Sequence, residues 1–509
     1  MVAPADKLAK SLDVLKALQD QGRIAIRAAD LTRTHRERLQ ANGCIREVMK
    51  GWYVPSRPDE PEGESTSWYA LFWDFSSAYL SERFGAEWCL SPEQSISLHT
   101  GDWAVPKQLL VRSPKGGNKP TELIHRTSIF DARLELPPPE DIGVLGGMRV
   151  CTLHAALISC APSHFPTHAS ALRAALAMVS DASEVLGRLL DGGHSKVAAR
   201  LAGAFRNIGR DQIADNIVAT MQSAGYTVNE NDPFEDESPL AFGARETSPY
   251  VNRLRMSWMR MRADILEIFP AAPGIAKDAG EYMKQVDDVY VTDAYNSLSI
   301  EGHEVSVELI ERVRSGGWNP DSVKGDRDHR DALAARGYWQ AFQAVRQSIG
   351  EVLAGESVGA IADKDHATWY RELFGPSISV GILKPSDLAG YRNGPVFIRR
   401  SMHVPPSREA VRELMPTFFE LLQQEKEPAV RVVLGHFVFV YIHPYLDGNG
   451  RMGRFMMNLM LASGGYPWTI VPLDRRAEYM AALESASVDQ NIKPFAGFLG
   501  GLLKRNKKN

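Results

Sequence analysis

The stretch from Gly448 to Leu461 constrains the fold more than any other. Two glycines flank Asn449, and an apolar run follows at once: Phe455, Met456, Met457, Leu459, Met460 and Leu461. A run of that kind suits a buried helix, so the glycine loop is expected at the helix's positive N-terminal end. Glycine lets the backbone approach a ligand without a Cβ in the way. Several N–H groups can then converge on one anion, with phosphate the natural occupant.

The residues around the loop extend that reading. Arg451 and Arg454 are spaced i, i+3, which puts both guanidinium groups on one helical face where they can hold a polyphosphate. Asp447 offers one hard oxygen, the usual protein share of a Mg²⁺ shell otherwise made of phosphate oxygens and water. His443 stands just upstream, and imidazole suits general-base work near neutral pH. Singly, each is ordinary: His-Pro is a common turn, Gly-x-Gly a common loop, and a surface Arg is usually solvated. The argument rests on their concentration in twelve residues.

Gly448, Gly450 and Gly453 also satisfy the dinucleotide fingerprint G-x-G-x-x-G, and Asp474 ends the segment Trp468–Leu473 near the required separation. Against that reading, His-Pro-Tyr-Leu-Asp intervenes between the apolar run and the glycines. Pro472 weakens the second strand, and no further βαβ units surround the motif. No G-x-x-x-x-G-K-[ST] phosphate loop occurs in the chain.

The segment His443-Pro-Tyr-Leu-Asp-Gly-Asn-Gly-Arg-Met-Gly-Arg454 resembles the signature of Fic-domain nucleotidyltransferases, with Tyr445 in place of the usual Phe. The resemblance implies that His443 is the base and Asp447 the Mg²⁺ ligand. It assigns the α-phosphate to Asn449 with the backbone around Gly448 and Gly450, and the outer phosphates to Arg451 and Arg454. It implies transfer of AMP from ATP to a hydroxyl of a target protein, or of the chain itself, with release of pyrophosphate. A related kinase branch replaces the glycines by Ala and Lys, so the intact Gly448 and Gly450 favour nucleotidyl transfer.

Upstream, Ser297-Leu-Ser-Ile-Glu301-Gly302 places Ser297 and Glu301 on one helical face, with Gly302 as a C-cap. It resembles the family's inhibitory motif, in the class where the inhibitory helix, here near 290–302, precedes the catalytic core. A carboxylate paired with Arg454 would occupy the cation meant for the γ-phosphate. Gly390-Tyr-Arg-Asn-Gly-Pro395 followed by Val396-Phe-Ile398, then His403-Val-Pro-Pro406, reads as a short strand pair bounded by turn residues. It resembles the family's flap, which pins an extended target segment by main-chain hydrogen bonds. The resemblance spans roughly residues 250 to 500.

The 509-residue chain has room for several domains, and its 24% charged and 44% hydrophobic content is ordinary for a globular protein. Cys44, Cys89, Cys151 and Cys160 show no C-x-x-C spacing, which argues against a zinc site or disulfide framework and fits a reducing cytoplasm. Met1–Lys10 lacks a signal-peptide pattern and no run approaches bilayer-spanning length, so no membrane association is expected.

The first 54 residues carry ten Lys/Arg against six Asp/Glu, a net +4 within a chain of net −4. Leu8, Leu12, Leu15 and Leu18 predict a first helix, Ala28–Leu31 a second and Arg33–Ala41 a third. Strands Ile45–Met49 and Trp52–Val54 follow around Lys50-Gly51, the order of a winged helix-turn-helix. Arg33, His35, Arg36 and Arg38 on the third helix and Lys50 at the wing tip are the candidate DNA contacts.

Residues 65–165 mix an aromatic-rich segment (Trp68 to Tyr79), strands at Gln108–Arg112 and Leu123–His125, and a Pro137–Pro139 turn. With the winged helix, this half resembles AbiE-type antitoxin and transcriptional regulators. Residues 166–225 are Ala- and Leu-rich and read as helical.

The fold expected is mainly α. A winged helix-turn-helix (1–58) and a mixed α/β domain (59–228) precede a linker (229–249) and a helical catalytic domain with a β-hairpin flap (250–509). The function expected is autoinhibited protein adenylyl transfer using ATP and Mg²⁺, coupled to DNA binding. Two other readings use the same residues. One is a DNA-binding regulator whose Fic fold senses nucleotide; the other is a hydrolase that removes AMP, with Glu301 orienting water.

Overall fold

The computed structural model describes the chain except residues 1–3, 59, 61–64, 237–247, 318–329, 385–387, 389 and 507–509. It divides into two compact units. The first is Met1–Met256 with Phe397–Val404, and the second is Ser257–Val396 with Pro405–Asn509. As expected, helix dominates. Among the described residues no helix is long and apolar enough to cross a membrane.

In the first unit, helices Pro4–Asp20 and Arg33–Ala41 stand where the sequence places them, the latter N-capped by Thr32. Between them Ala28–Asp30 forms only a single 3-10 turn, in place of the expected second helix. Strands Ile45–Met49 and Trp52–Pro55 pair antiparallel, and Ile26–Arg27 adds a third strand. The aromatic-rich segment is one helix, Thr66–Phe84, whose Trp68, Phe72 and Phe75 are buried.

Gln108–Ser113 is a strand as predicted, paired in parallel with Ser128–Arg133. Leu123–His125 is not a strand: Ile124–Arg126 makes a 3-10 turn in which His125 takes a left-handed φ of 55°. The neighbouring strand is instead Pro120–Glu122. Residues 169–223 form four helices, in keeping with their Ala/Leu content.

Residues 229–236 of the expected linker are mostly exposed but anchored at Phe234, and 237–247 lie outside the described residues. Phe234 explains the difference. It is buried in the helical core with the Arg173 guanidinium over its ring, and Arg173 also bonds Asp236. One aromatic anchor outweighs the polar composition around it.

Phe397–Val404 belongs with this unit: Met402 and Val404 pack on its aromatic core, and the Val105 N–H donates to the Met402 carbonyl at 2.8 Å. The flap is not a β-hairpin. Among the described residues, 390–406 contain no strand. Pro395, Pro405 and Pro406 withhold N–H donors, and Arg400 turns the chain at a φ of 59°, so no ladder forms.

The second unit is built around an antiparallel helix pair. Pro428–Ile442, almost wholly apolar, and Asn449–Gly464 run either side of the His443–Gly448 loop. Helices Arg330–Leu353 and Val358–Ser379 pack against them and against each other, the latter so closely that a Cβ at Gly337 of the first would lie 1.9 Å from the Leu373 carbonyl oxygen of the second. Helix, not strand, precedes the glycine loop, and Trp468–Pro472 is irregular, which removes the dinucleotide-binding alternative.

Candidate active site

Helix Pro428–Ile442 ends because Pro444 has no N–H to continue it. His443 caps it in a left-handed conformation (φ 52°, ψ 58°), rare for a side chain with a Cβ and a local strain that sets the ring's direction. Its Nδ1 lies 3.1 Å from the Val440 carbonyl. A carbonyl only accepts, so Nδ1 carries the proton and Nε2 keeps its lone pair. Burial pushes the imidazole down to about 4, so it is neutral at pH 7 and ready to accept a proton.

Arg392 fixes this turn from outside. Its Nε donates to the His443 carbonyl at 2.8 Å, Nη1 to that of Gly394 at 3.0 Å, and Nη2 to that of Pro406. Burial lowers the guanidinium to about 10, still charged at neutral pH. The sequence marked Arg392 only as part of the flap; a lone arginine between turn residues carries no sign of which carbonyls it will reach.

The glycine loop stands at the open end of a helix, as expected. Gly448 takes φ 78°, and the Met452 N–H is the first to return to the helix, bonding the Gly448 carbonyl. The N–H groups of Asn449, Gly450 and Arg451 therefore lie at the positive terminus. Asn449 does not aim its side chain at this site. Its Oδ1 accepts the Tyr445 N–H at 2.9 Å and its Nδ2 donates to the Tyr445 carbonyl at 2.8 Å, so the side chain braces the loop and only its backbone faces an anion.

Two cations close the cradle. Arg451, 4% exposed, lies over the Phe374 ring and reaches Asp447 at 3.4 Å. Arg454, 3% exposed, donates from Nη2 to Glu301 Oε1 at 2.7 Å and from Nε to Ser297 Oγ at 2.8 Å. Arg451 Nε and Arg454 Nη1 are buried and have no hydrogen-bond partner among the described residues. Such orphaned donors fit the oxygens of a polyphosphate.

Glu301 ends helix Ala279–Ile300, and Gly302 follows at φ 87°. Its carboxylate overhangs the loop: a Cβ on Gly450 would meet Glu301 Oε1 at 2.3 Å and Arg454 Nη1 at 3.3 Å. Loss of water around the carboxyl pushes its pKa up. The guanidinium of Arg454, then that of Arg451, outweighs this and holds it below its ordinary value. Asp447 has a side chain 71% exposed, beside the loop and open to a divalent cation. One carboxylate completed by phosphate oxygens and water suits Mg²⁺, and the described residues contain no group of three or more His, Cys, Asp or Glu that could hold a metal alone.

Tyr445, the departure from the signature, stacks on Tyr370 with ring centroids 3.7 Å apart. Its hydroxyl is buried without a partner among the described residues. Tyr445→Phe removes an oxygen whose burial is uncompensated, so stability should rise by about 1 kcal/mol with activity unchanged. A lower melting temperature would show that the hydroxyl is held.

The proposed DNA contacts sit on the first unit. Arg33 is exposed and paired with Glu37 at 2.7 Å, and Lys50 is exposed. Arg36 donates to the Ala28 carbonyl, while Arg38 donates to the Lys7 carbonyl and the Ser11 hydroxyl, which His35 also contacts. Arg36 and Arg38 are thus tied into the packing of this helix.

A neutral histidine, an open helix N-terminus, two buried guanidinium groups and an exposed carboxylate thus stand together on a helical scaffold, an arrangement with the chemistry to receive phosphate oxygens. Residues 366–461 match the model of the Fic/DOC family. It is 24% identical over 272 residues to protein adenylyltransferase fic-1 of Caenorhabditis elegans, covering 53% of this chain and 49% of that protein. It is 28% identical over 216 residues to protein adenylyltransferase Fic of Drosophila willistoni, covering 42% of this chain and 40% of that one. The chain thus spans half or less of the length of these curated relatives. Among solved structures, residues 134–508 of the C. elegans protein are similar at 17% identity and a TM-score of 0.38, over 63% of this chain and 90% of that one.

Proposed function

We propose that this chain is an autoinhibited protein adenylyltransferase that moves AMP from ATP to a hydroxyl of a target protein or of itself. The observation carrying the proposal is the 2.7 Å Glu301–Arg454 pair, lying over the glycine loop that follows a histidine with a free Nε2. In the reaction, His443 Nε2 takes the proton of the attacking hydroxyl, whose oxygen forms a bond to the α-phosphorus. The bond from that phosphorus to the bridging oxygen breaks, and pyrophosphate leaves. The helix terminus and Arg451 neutralise charge on the phosphates, while Arg454 positions the outer end. Mg²⁺ held by Asp447 would supply further charge neutralisation. Glu301 opposes all this by engaging Arg454. The relatives named protein adenylyltransferase support the reading, as do the intact glycines.

The test is to incubate Glu301→Gly protein with each labelled nucleotide and Mg²⁺. Covalent label from ATP is expected; no covalent label from any nucleotide would defeat the reading. Asp447→Ala should lower transfer by about 10²-fold and respond poorly to excess Mg²⁺, since the carboxylate proposed to hold the metal is gone. Parental activity in that variant would reject the assignment.

We also infer a cytoplasmic setting, suggested by four buried free thiols. DNA binding by the first unit is supported by its N-terminal charge and its helix–helix–hairpin order. The whole 509-residue chain should bind duplex in a salt-sensitive way, and charge reversal at Arg33 and Lys50, which are exposed, should weaken it. Arg36 and Arg38 are poor control positions because reversal there would disturb packing. No binding at low salt would make this region a protein-contact module.

A further inference from the structure

Withdrawal of Glu301 creates a physical problem. Arg454 is 3% exposed, and a guanidinium left in that position without a counter-charge is strongly unfavourable. It would swing away or lose its aim before a nucleotide arrived. Something must hold it.

A second carboxylate is close at hand. Asp293, Ser297 and Glu301 recur at steps of four along one face of the helix Ala279–Ile300 and its C-cap. Asp293 is 3% exposed, and its Oδ2 accepts the Tyr338 hydroxyl at 2.6 Å. Among the described residues no ion pair joins it, and Arg454 is the cation whose field acts on it. Ser297, one turn on, touches Arg454 directly through Oγ and through its carbonyl, at 2.8 and 3.0 Å. Burial raises the Asp293 carboxyl to about 6, against the Tyr338 hydrogen bond and Arg454, leaving it mostly ionised at pH 7.

The two carboxylates differ in how firmly they are held. Glu301 caps the helix just before Gly302, where a small backbone change can carry it off. Asp293 lies two turns inside and cannot follow without unwinding the helix.

We propose that Asp293 is a positioning residue: a standing counter-charge that keeps Arg454 seated and aimed at the outer phosphates while Glu301 comes and goes. This deepens the adenylyltransferase reading and rests on it. Release of inhibition is then a local event at the helix end, and the polar seat of Arg454 survives it.

The test uses the whole chain carrying Glu301→Gly. Adding Asp293→Asn, which keeps the shape and removes the charge, should raise the KM for ATP at least tenfold with kcat within threefold. Adding Tyr338→Phe, which removes the hydrogen bond but leaves the charge, should leave KM within threefold. Equal KM for Asp293→Asn and its parent, or equal losses in the two variants, would overturn the proposal.

A second measurement needs no nucleotide. Amide exchange in helix Asn449–Gly464, read for Asp293→Asn, Arg454→Gln and their combination in the same background, should show a coupling of about tenfold or more in the opening constant. Additive effects would overturn it. If Glu301→Gly transfers no label, the catalytic reading fails and the exchange cycle still decides. If Asp293→Asn does not fold, Asp293→Glu should, because it retains the charge; a chain that rejects both treats the position as packing alone, and the proposal falls.

Discussion

Glu301→Gly is expected to raise AMP transfer by about 10- to 100-fold. A charge-assisted hydrogen bond contributes roughly 1.5–3 kcal/mol, and the Glu301 side chain is 28% exposed, which favours the lower part of that range. Each 1.4 kcal/mol or so is a factor of ten. The gain should appear chiefly as a productive pose of the triphosphate, because the N–H of Arg454 Nη2 released from Glu301 joins Nη1, unpartnered among the described residues, in facing the anion, while Nη2 keeps its bond to the Ser297 carbonyl. Arg454→Ala in the same chain should erase the gain. A Glu301→Gly protein no more active than its parent would make the pair a structural contact, and the inhibitory reading would fall.

The same contact shows how far the sequence could be read. Ser297, Glu301 and Arg454 were legible because a helical period and a short signature each fix a direction, and the structure brings them together across about 150 residues. Helix Arg33–Ala41 and the hairpin after it were legible for a similar reason, since capping and alternation are local signals.

What was missed depends on distant partners. The flap lacks a ladder because its prolines and Arg400 break the pairing, and its residues Phe397–Val404 take their contacts from the N-terminal unit. Phe234 packs where composition suggested a linker. Arg392 grips carbonyls about 50 residues away, and the Asn449 amide turns back on Tyr445. Asp293 has no motif at all: its burial, and its bond to Tyr338 one helical turn before the Ser297 that holds Arg454, appear only once the helices are packed.

His443→Ala should lower transfer by about 10²- to 10⁴-fold with nucleotide binding largely intact, the range for loss of a general base that acts on the attacking hydroxyl and not on phosphate affinity. The pH profile sharpens this expectation. Burial and, to a lesser degree, the field of Arg392 hold the imidazole down to about 4, from an ordinary value of 6.5. Only the neutral ring accepts a proton, so the parental rate should stay level as pH falls past 6.5 and decline as it approaches 4. Stability has the opposite reach: a ring kept neutral in the fold takes up its proton on unfolding, so the folded state loses ground as soon as pH drops through 6.5 and continues to do so down to about 4. Between those limits the protein should become easier to unfold while each folded molecule still turns over at its neutral-pH rate. A transfer rate that halves near pH 6.5 would place the base in an ordinary aqueous setting, and parental transfer by His443→Ala would remove it from the mechanism.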